Sequence, residues 1–340
     1  MSKSRRSGSS RRAKRRLVVL SLITSLGAGL LAACQTPTSE RTVVRIGYSA
    51  WPGWFPWAVT EAKGLFGKAG VDAKMQWFDG YLDSINALNA GQLDCNSQTL
   101  NDTISSVAGG ADLQVVLQND YSTGNDQIIV TEDIKTVADL KGKKVAAEEG
   151  TVDHYLLLKV LKDNGMSATD IEFVPLETGA AAAAFTAGQV DAAGVYAPFT
   201  TQALKRPGSR ALTTSADHPG AISDLLVCRR EFVEQNPEAI QKVVNAWFAT
   251  LQLMEDDPAA TLPILVERSG VSEAEFKEYA AGTTIQTLAE NRANFQPGTT
   301  MTSLPFAAEQ ISAFLVEVGL AKSTPDLSNL LNSTFVDNAK

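Results

Sequence analysis

Ala87-Leu88-Asn89-Ala90-Gly91-Gln92-Leu93-Asp94 and Ala184-Phe185-Thr186-Ala187-Gly188-Gln189-Val190-Asp191 are one phrase written twice. Each reads as a helix end, a glycine stop, a polar step and the start of a strand. The same joint at two places predicts two units built on one α/β plan. Working outward from the first copy, 43–46 and 71–78 read as strands, with helices over 58–66 and 81–90. After it come strand 93–97, helix 99–108 and strand 113–117, and then a polar link, 118–126. Around the second copy the pattern restarts, with strands near 127–130, 145–146, 171–174 and 190–195 and helices over 153–164 and 180–187. Strands alternating with helices at this spacing predict parallel sheets covered on both faces. Residues 222–228 read as a strand returning to the first unit. From Pro237 onward the apolar spacing is helical (239–254, 258–268, 272–281, 304–318), with Trp247 in the core.

The chain has 340 residues, 44% of them hydrophobic, enough for one large core or two smaller ones. Its charge is divided. Residues 1–33 hold eight Lys or Arg and no acid, so without them the formal charge goes from −8 to −16. A body this acidic does not bind nucleic acid or an anionic membrane through bulk charge, and it favours a cationic ligand.

Arg5 to Arg16 form a basic region, and 17–31 an apolar stretch too short to span a bilayer comfortably. Leu31-Ala32-Ala33-Cys34 resembles the bacterial lipobox, in which the chain is cut before an acylated cysteine. Residues 1–33 are therefore expected to be a lipoprotein signal peptide, Cys34 the lipidation site and 34–42 a tether. The remaining cysteines, Cys95 and Cys228, sit in apolar runs and are expected to be buried free thiols. Two scattered histidines, His154 and His218, and no Cys/His cluster predict neither a metal nor a cofactor.

Several pieces together resemble one family. They are the lipobox, Gly47-Tyr48-Ser49 at a strand exit, both copies of Ala-Gly-Gln-x-Asp, and Asp139-Leu140-Lys141-Gly142-Lys143-Lys144-Val145. The chain is similar to the substrate-binding proteins of ABC importers, in the nitrate/sulfonate/taurine/bicarbonate branch. Within that branch, Trp51-Pro52-Gly53-Trp54 and Trp77-Phe78-Asp79 resemble a group associated with guanidine or urea utilisation. The resemblance implies a two-lobed periplasmic binding protein of the type II kind, each lobe a doubly wound α/β sheet, joined by a two-strand hinge. The expected division is 43–124 plus 222–335 for lobe 1 and 125–221 for lobe 2. It further implies a monomer outside the cytoplasm, held to a membrane by its lipid, that delivers a small molecule to a permease and its ATPase. This is binding, not catalysis.

In such folds the ligand lies at the carboxyl ends of the strands, near helix N-termini. The loops there supply Ser49, Trp51 and Trp54, then Asp79, then Gln98 and Asp102, then Asp120. The second unit supplies Glu148, Thr151, Tyr196 and Asp217. Three of the five tryptophans (51, 54 and 57) fall in the turn after the first strand, stiffened by Pro52 and Pro56. Arg and Lys are missing from these loops, whereas an anion site usually uses Arg. A planar cation with N–H donors, guanidinium above all, wants carboxylates at its edge and an aromatic face. Asp153 and Asp83 read more readily as first-turn helix charges. The alternatives are a small anion, a pyrimidine-like ligand stacked on the tryptophans, a pyrimidine-synthesising enzyme of similar fold, and a lipid-anchored sensor domain.

Overall fold

The computed structural model describes residues 42–340, so the signal peptide, Cys34 and nearly all of the tether lie outside the described residues. Eleven strands form two sheets. The first contains β1 (Val43–Tyr48), β2 (Asp72–Trp77), β3 (Cys95–Thr99) and β4 (Leu113–Ser122). The second contains β5 (Asp126–Thr131), β6 (Lys144–Ala147), β7 (Glu172–Pro175), β8 (Ala192–Tyr196) and β9 (Ser209–Thr214). The chain then returns to the first sheet as β10 (Ser223–Arg229) and β11 (Thr283–Ile285). The strand orders are β11-β4-β10-β3-β1-β2 and β7-β6-β8-β5-β9.

The sheets are mixed, not parallel as the alternation predicts. β10 is antiparallel to β3 and β4, and β5 is antiparallel to β8 and β9. Connectivity gives the reason. β4 leaves the first sheet at its carboxyl end, and the chain enters the second sheet at the facing edge. An incoming strand that starts at that edge must run away from it. The same holds for β10 after its return, so the two crossing strands are reversed.

Helices cover the sheets: α1 (Pro56–Ala62), α2 (Leu65–Ala69), α3 (Tyr81–Asn89), α4 (Leu100–Ala108), α5 (Val152–Asp163), α6 (Thr178–Thr186) and α7 (Phe199–Ala203), then α8 (Arg230–Gln235) and α9 (Pro237–Asp256). The single helix expected over 58–66 is broken between α1 and α2, where Gly64 takes a left-handed φ of 64°. The polar link expected at 118–126 is mostly strand, because β4 continues to Ser122 with every residue from 115 on buried.

The repeated phrase has a structural meaning. The amide N–H of Asp94 donates to the Arg45 carbonyl at 2.9 Å, and Asp94 Oδ2 accepts from the Arg45 amide at 2.9 Å. In the second sheet Asp191 makes the same pair with Lys144, at 2.8 and 2.9 Å. Each aspartate fastens a helix-to-strand joint to a neighbouring strand of its own sheet, β1 in the first and β6 in the second.

Trp57 is fully buried, 4.5 Å between centroids from Trp247, and its indole N–H donates to Ser97 Oγ at 3.0 Å. It is core and not ligand wall. Cys95 and Cys228 form a disulfide, which corrects the expectation of free thiols. They are register partners on β3 and β10 with Cα atoms 3.9 Å apart. Cysteine spacing alone cannot reveal this, because the pairing exists only once β10 inserts between β3 and β4.

Candidate binding site between the sheets

The carboxyl end of β1 runs into the turn of Trp51, Pro52, Gly53 and Trp54. This turn is clasped to β4. Trp51 Nε1 donates to Asp120 Oδ1 at 3.0 Å. A Cβ on Gly53 would lie 1.9 Å from Asp120 Oδ2, so the carboxylate occupies space that any side chain there would fill. A β-bulge aims this part of β4: Asp224 of β10 pairs with Asp120 and Leu225 with Gln118, leaving Asn119 as the extra residue. Asp224 also faces Thr99 of β3. Two acids thus sit directly opposite on neighbouring strands, a pairing that destabilises a sheet and is not there for its strength.

Thr99 is the N-cap of α4, and its hydroxyl donates to Asp102 Oδ2 at 2.8 Å. Tyr81, the first residue of α3, donates its hydroxyl to the same oxygen at 2.7 Å. The Val152 amide at the start of α5 faces Asp102 from the second sheet's side and favours its ionised form. On that side, Asp126 of β5 pairs with Tyr196 of β8. Glu148 follows β6, and its carbonyl accepts from the Thr151 hydroxyl at 3.0 Å. Thr178 Oγ1 donates to Asp153 Oδ2 at 2.6 Å and lies 3.4 Å from Glu148 Oε2.

Four aromatic rings close a loop over these acids. Centroid separations are 6.4 Å for Trp51–Trp54, 5.5 Å for Trp54–Tyr81, 6.3 Å for Tyr81–Tyr196 and 6.2 Å for Tyr196–Trp51. They line a small, tight cavity with Asp126, Asp224, Thr99, Val152 and Ile222. A larger groove of about 1140 Å³, mouth included, lies between α5 and 301–317. It is open and surrounds none of the buried acids.

Asp102, Asp120, Asp126, Asp153 and Asp224 are each no more than 2% exposed, and Glu148 is 5% exposed. Burial dominates their titration and favours the neutral form. It pushes Asp102 and Asp126 up to about 7, and Glu148, with Glu177 and Asp102 adding repulsion, also to about 7. Asp153 is raised well above the carboxylate range by burial and by its acidic neighbours. Asp120 is raised by burial with Asp126 adding repulsion, and Asp224 is raised well above the carboxylate range by burial and by the charges of Asp120 and Asp126. Asp120 Oδ2, Asp126 Oδ2, Asp153 Oδ1, Asp224 Oδ2 and Trp54 Nε1 have no hydrogen-bond partner among the described residues. Buried polar atoms are almost always paired, so this concentration of four carboxyl oxygens and one indole N–H marks a place for polar groups from outside the chain.

Of the expected site residues, the structure brings together Trp51, Trp54, Asp102, Asp120, Glu148 and Tyr196. Ser49 and Thr151 are buried nearby, Ser49 Oγ without a partner. Gln98 is spent internally, between Asn96 and Thr103. Asp79 is exposed and accepts from its neighbour Trp77 at 2.8 Å, away from the cluster. Asp217 is an exposed cap, accepting from the Thr214 amide and Thr213 hydroxyl. Sequence reasoning missed Tyr81 and Asp224, read Asp153 as a first-turn helix charge, and placed Asp126 in the polar link 118–126 without choosing it over Asp120. Asp224 carried a signal, an acid inside the apolar run 222–228. Among the described residues no group of His, Cys, Asp and Glu has a metal-holding arrangement.

Residues 51–261 match the family model described as NMT1/THI5 like. The chain belongs to this family. It is 30% identical over 279 residues to the putative aliphatic sulfonates-binding protein of Escherichia coli K12, covering 80% of this chain and 86% of that one. It is 26% identical to the taurine-binding periplasmic protein of the same strain, over 68% and 75% of the two chains. The crystal structure of the periplasmic aliphatic sulphonate binding protein SsuA from Escherichia coli superposes with a TM-score of 0.69 at 27% identity, covering 86% and 92%. The fold is thus that of the periplasmic binding proteins.

Proposed function

We propose that the chain is the solute-binding component of an ABC importer and that its cleft captures a small planar organic cation, guanidinium fitting best. The observation that carries this is the set of six buried carboxyls beside four aromatic rings, four of them (Asp120, Asp126, Asp153 and Asp224) with an unpaired oxygen, and no basic group among the strongest influences on any of them. The relatives' names support the role of a solute binder. The acid-rich chemistry of this cleft supports a positively charged solute. A sulfonate would be repelled by each of these carboxyls that is ionised, at about 4 kcal/mol per pair at 4 Å even with a surface-like dielectric, and would gain no basic partner. A cation inverts that sign.

In this reading Trp51, Trp54, Tyr81 and Tyr196 supply faces, and Asp126 and Asp224 accept from the ligand's edge. The lobes are 43–124 with 222–335 and 125–221, hinged at the two chain crossings. Closure brings Tyr196 against Trp51 and the Val152 amide onto Asp102. The mature chain is a lipid-anchored monomer outside the cytoplasm, tethered through Cys34, and works with a permease and an ATPase. Guanidinium has four heavy atoms, and at about 1.5 kcal/mol per atom it reaches about −6 kcal/mol, or tens of micromolar. Desolvated ion pairs on closure account for anything tighter.

The test is calorimetry on the purified protein with guanidinium, urea, nitrate and taurine. Heat with guanidinium only, weakened more than tenfold by Asp126→Asn, is the expected result. Heat with taurine or nitrate and none with guanidinium overturns the proposal and returns the chain to the sulfonate and taurine binders it resembles.

A further inference from the structure

We propose that this site exchanges protons for its ligand: empty, it is held together by protons shared among its carboxyls, and an entering cation expels about one of them to solvent. The proposal rests on the cation reading above and adds a regulation to it.

The geometry comes first. Asp120 and Asp224 are register partners on adjacent antiparallel strands, both buried, each with one oxygen lacking a partner. Two ionised carboxylates offer no donor to one another, so a buried, register-paired couple of this kind is eased when one of them keeps its proton. Trp51 donates to Asp120 from the turn after β1 and Thr99 of β3 faces Asp224, while the titratable groups of the surrounding cleft are acids and phenols. Asp102 comes from α4, Tyr81 from α3 and Asp126 from β5; Tyr196 comes from β8, Asp153 from α5, Glu148 from the loop after β6 and Glu177 from the cap of α6. The charges acting most strongly on these carboxyls are other acids, and no Lys, Arg or His is among them. Such a cluster cannot ionise fully while it is closed and empty.

A cation changes the balance. Its N–H groups meet the unpaired oxygens of Asp126 and Asp224, and its charge favours the ionised carboxyls. The step is an exchange: a carboxylic acid and a free cation become a carboxylate–cation pair and a proton taken up by buffer. No bond to carbon is made or broken.

The sign follows from the direction of the shifts. These carboxyls titrate higher in the folded chain than in the unfolded one, so between about pH 4 and 7 the folded state carries the extra protons. Stability of the empty protein is therefore full at the acid end of that window and falls as pH rises through 7. Ligand affinity moves the other way. If one proton leaves, affinity weakens about tenfold for each pH unit below the site's own titration.

The experiment is calorimetry of guanidinium chloride, at millimolar concentration, into the purified protein at pH 7 in phosphate and in Tris. These buffers take up protons with very different heats. The expected result is a heat that differs between them by about one proton released per ligand, with affinity at pH 5.5 about tenfold weaker than at pH 6.5. Asp224→Asn should reduce the released proton count toward zero. A thermal melt of the unliganded wild type needs no variant to fold: its melting temperature should fall from pH 5 to pH 8, and saturating guanidinium should flatten that slope. Guanidinium bound with the same heat in both buffers overturns the exchange and leaves the cation reading standing. Taurine bound and guanidinium not bound overturns both.

Discussion

Asp94 and Asp224 occupy opposite ends of the same patch of sheet, and they are buried to the same degree. Asp94, just before β3, receives Arg45 Nη2 at 2.7 Å, Arg45 Nε at 3.0 Å, the Arg45 amide at 2.9 Å and Arg229 Nη2 at 3.1 Å. Burial alone would raise its titration, but the Arg45 and Arg229 contacts hold it below the ordinary carboxylate range. Asp224, at the start of β10, receives no basic partner among the described residues and faces a second acid. Both are buried aspartates in one sheet. The first is fully served by its own chain and is structural. The second is left short of donors and waits for one. Burial does not separate a scaffold acid from a site acid; the unmet demand for hydrogen bonds does.

The disulfide lies between these two ends, so the sharpest way to disturb the comparison is to cut it. Replacing Cys95 and Cys228 together by alanine removes a link across a sequence separation of 133. The expected cost is about 4 kcal/mol, read from urea unfolding. An unchanged midpoint would show that strand pairing alone holds the two ends in register. Next is Asp94→Ala, which strands Arg45 and Arg229 and should cost about 3 kcal/mol by the same assay without altering the cleft. The smallest effect has the opposite sign. Asp224→Asn relieves repulsion and should stabilise the unliganded protein at pH 8 by about 1 kcal/mol, while weakening cation binding more than tenfold. If Asp224→Asn destabilises as Asp94→Ala does, the distinction between the two acids fails.

Much of the fold was legible. The doubled Ala-Gly-Gln-x-Asp joint announced two similar units, because the same backbone bonds recur in both. Helical spacing marked α9 and its successors. The reversal of β5 and β10 was not legible, since it follows from where the chain crosses and not from the pattern of any strand. The polar half of β4 looked like a linker for a physical reason. A buried strand normally shows apolar residues, and Gln118, Asn119 and Asp120 are polar because of what they face. The turn with Trp51 and Trp54 stood out by composition. Asp79 and Asp217 shared a chain position with the buried acids between the sheets, but their donors are local and they stay at the surface. Asp153 looked like a routine first-turn charge, and only the arrival of Thr178 and the first sheet's acids shows where it sits.

The Cys95–Cys228 bond also closes a covalent ring. Strands β5 to β9, the whole second sheet, lie within it. The returning strand is therefore stitched to a strand made long before the second sheet was synthesised, and that stitch can form only where thiols are oxidised. A protease that nicks any loop of the second sheet would open the ring without releasing a fragment, so the two halves would part only in a reducing solution.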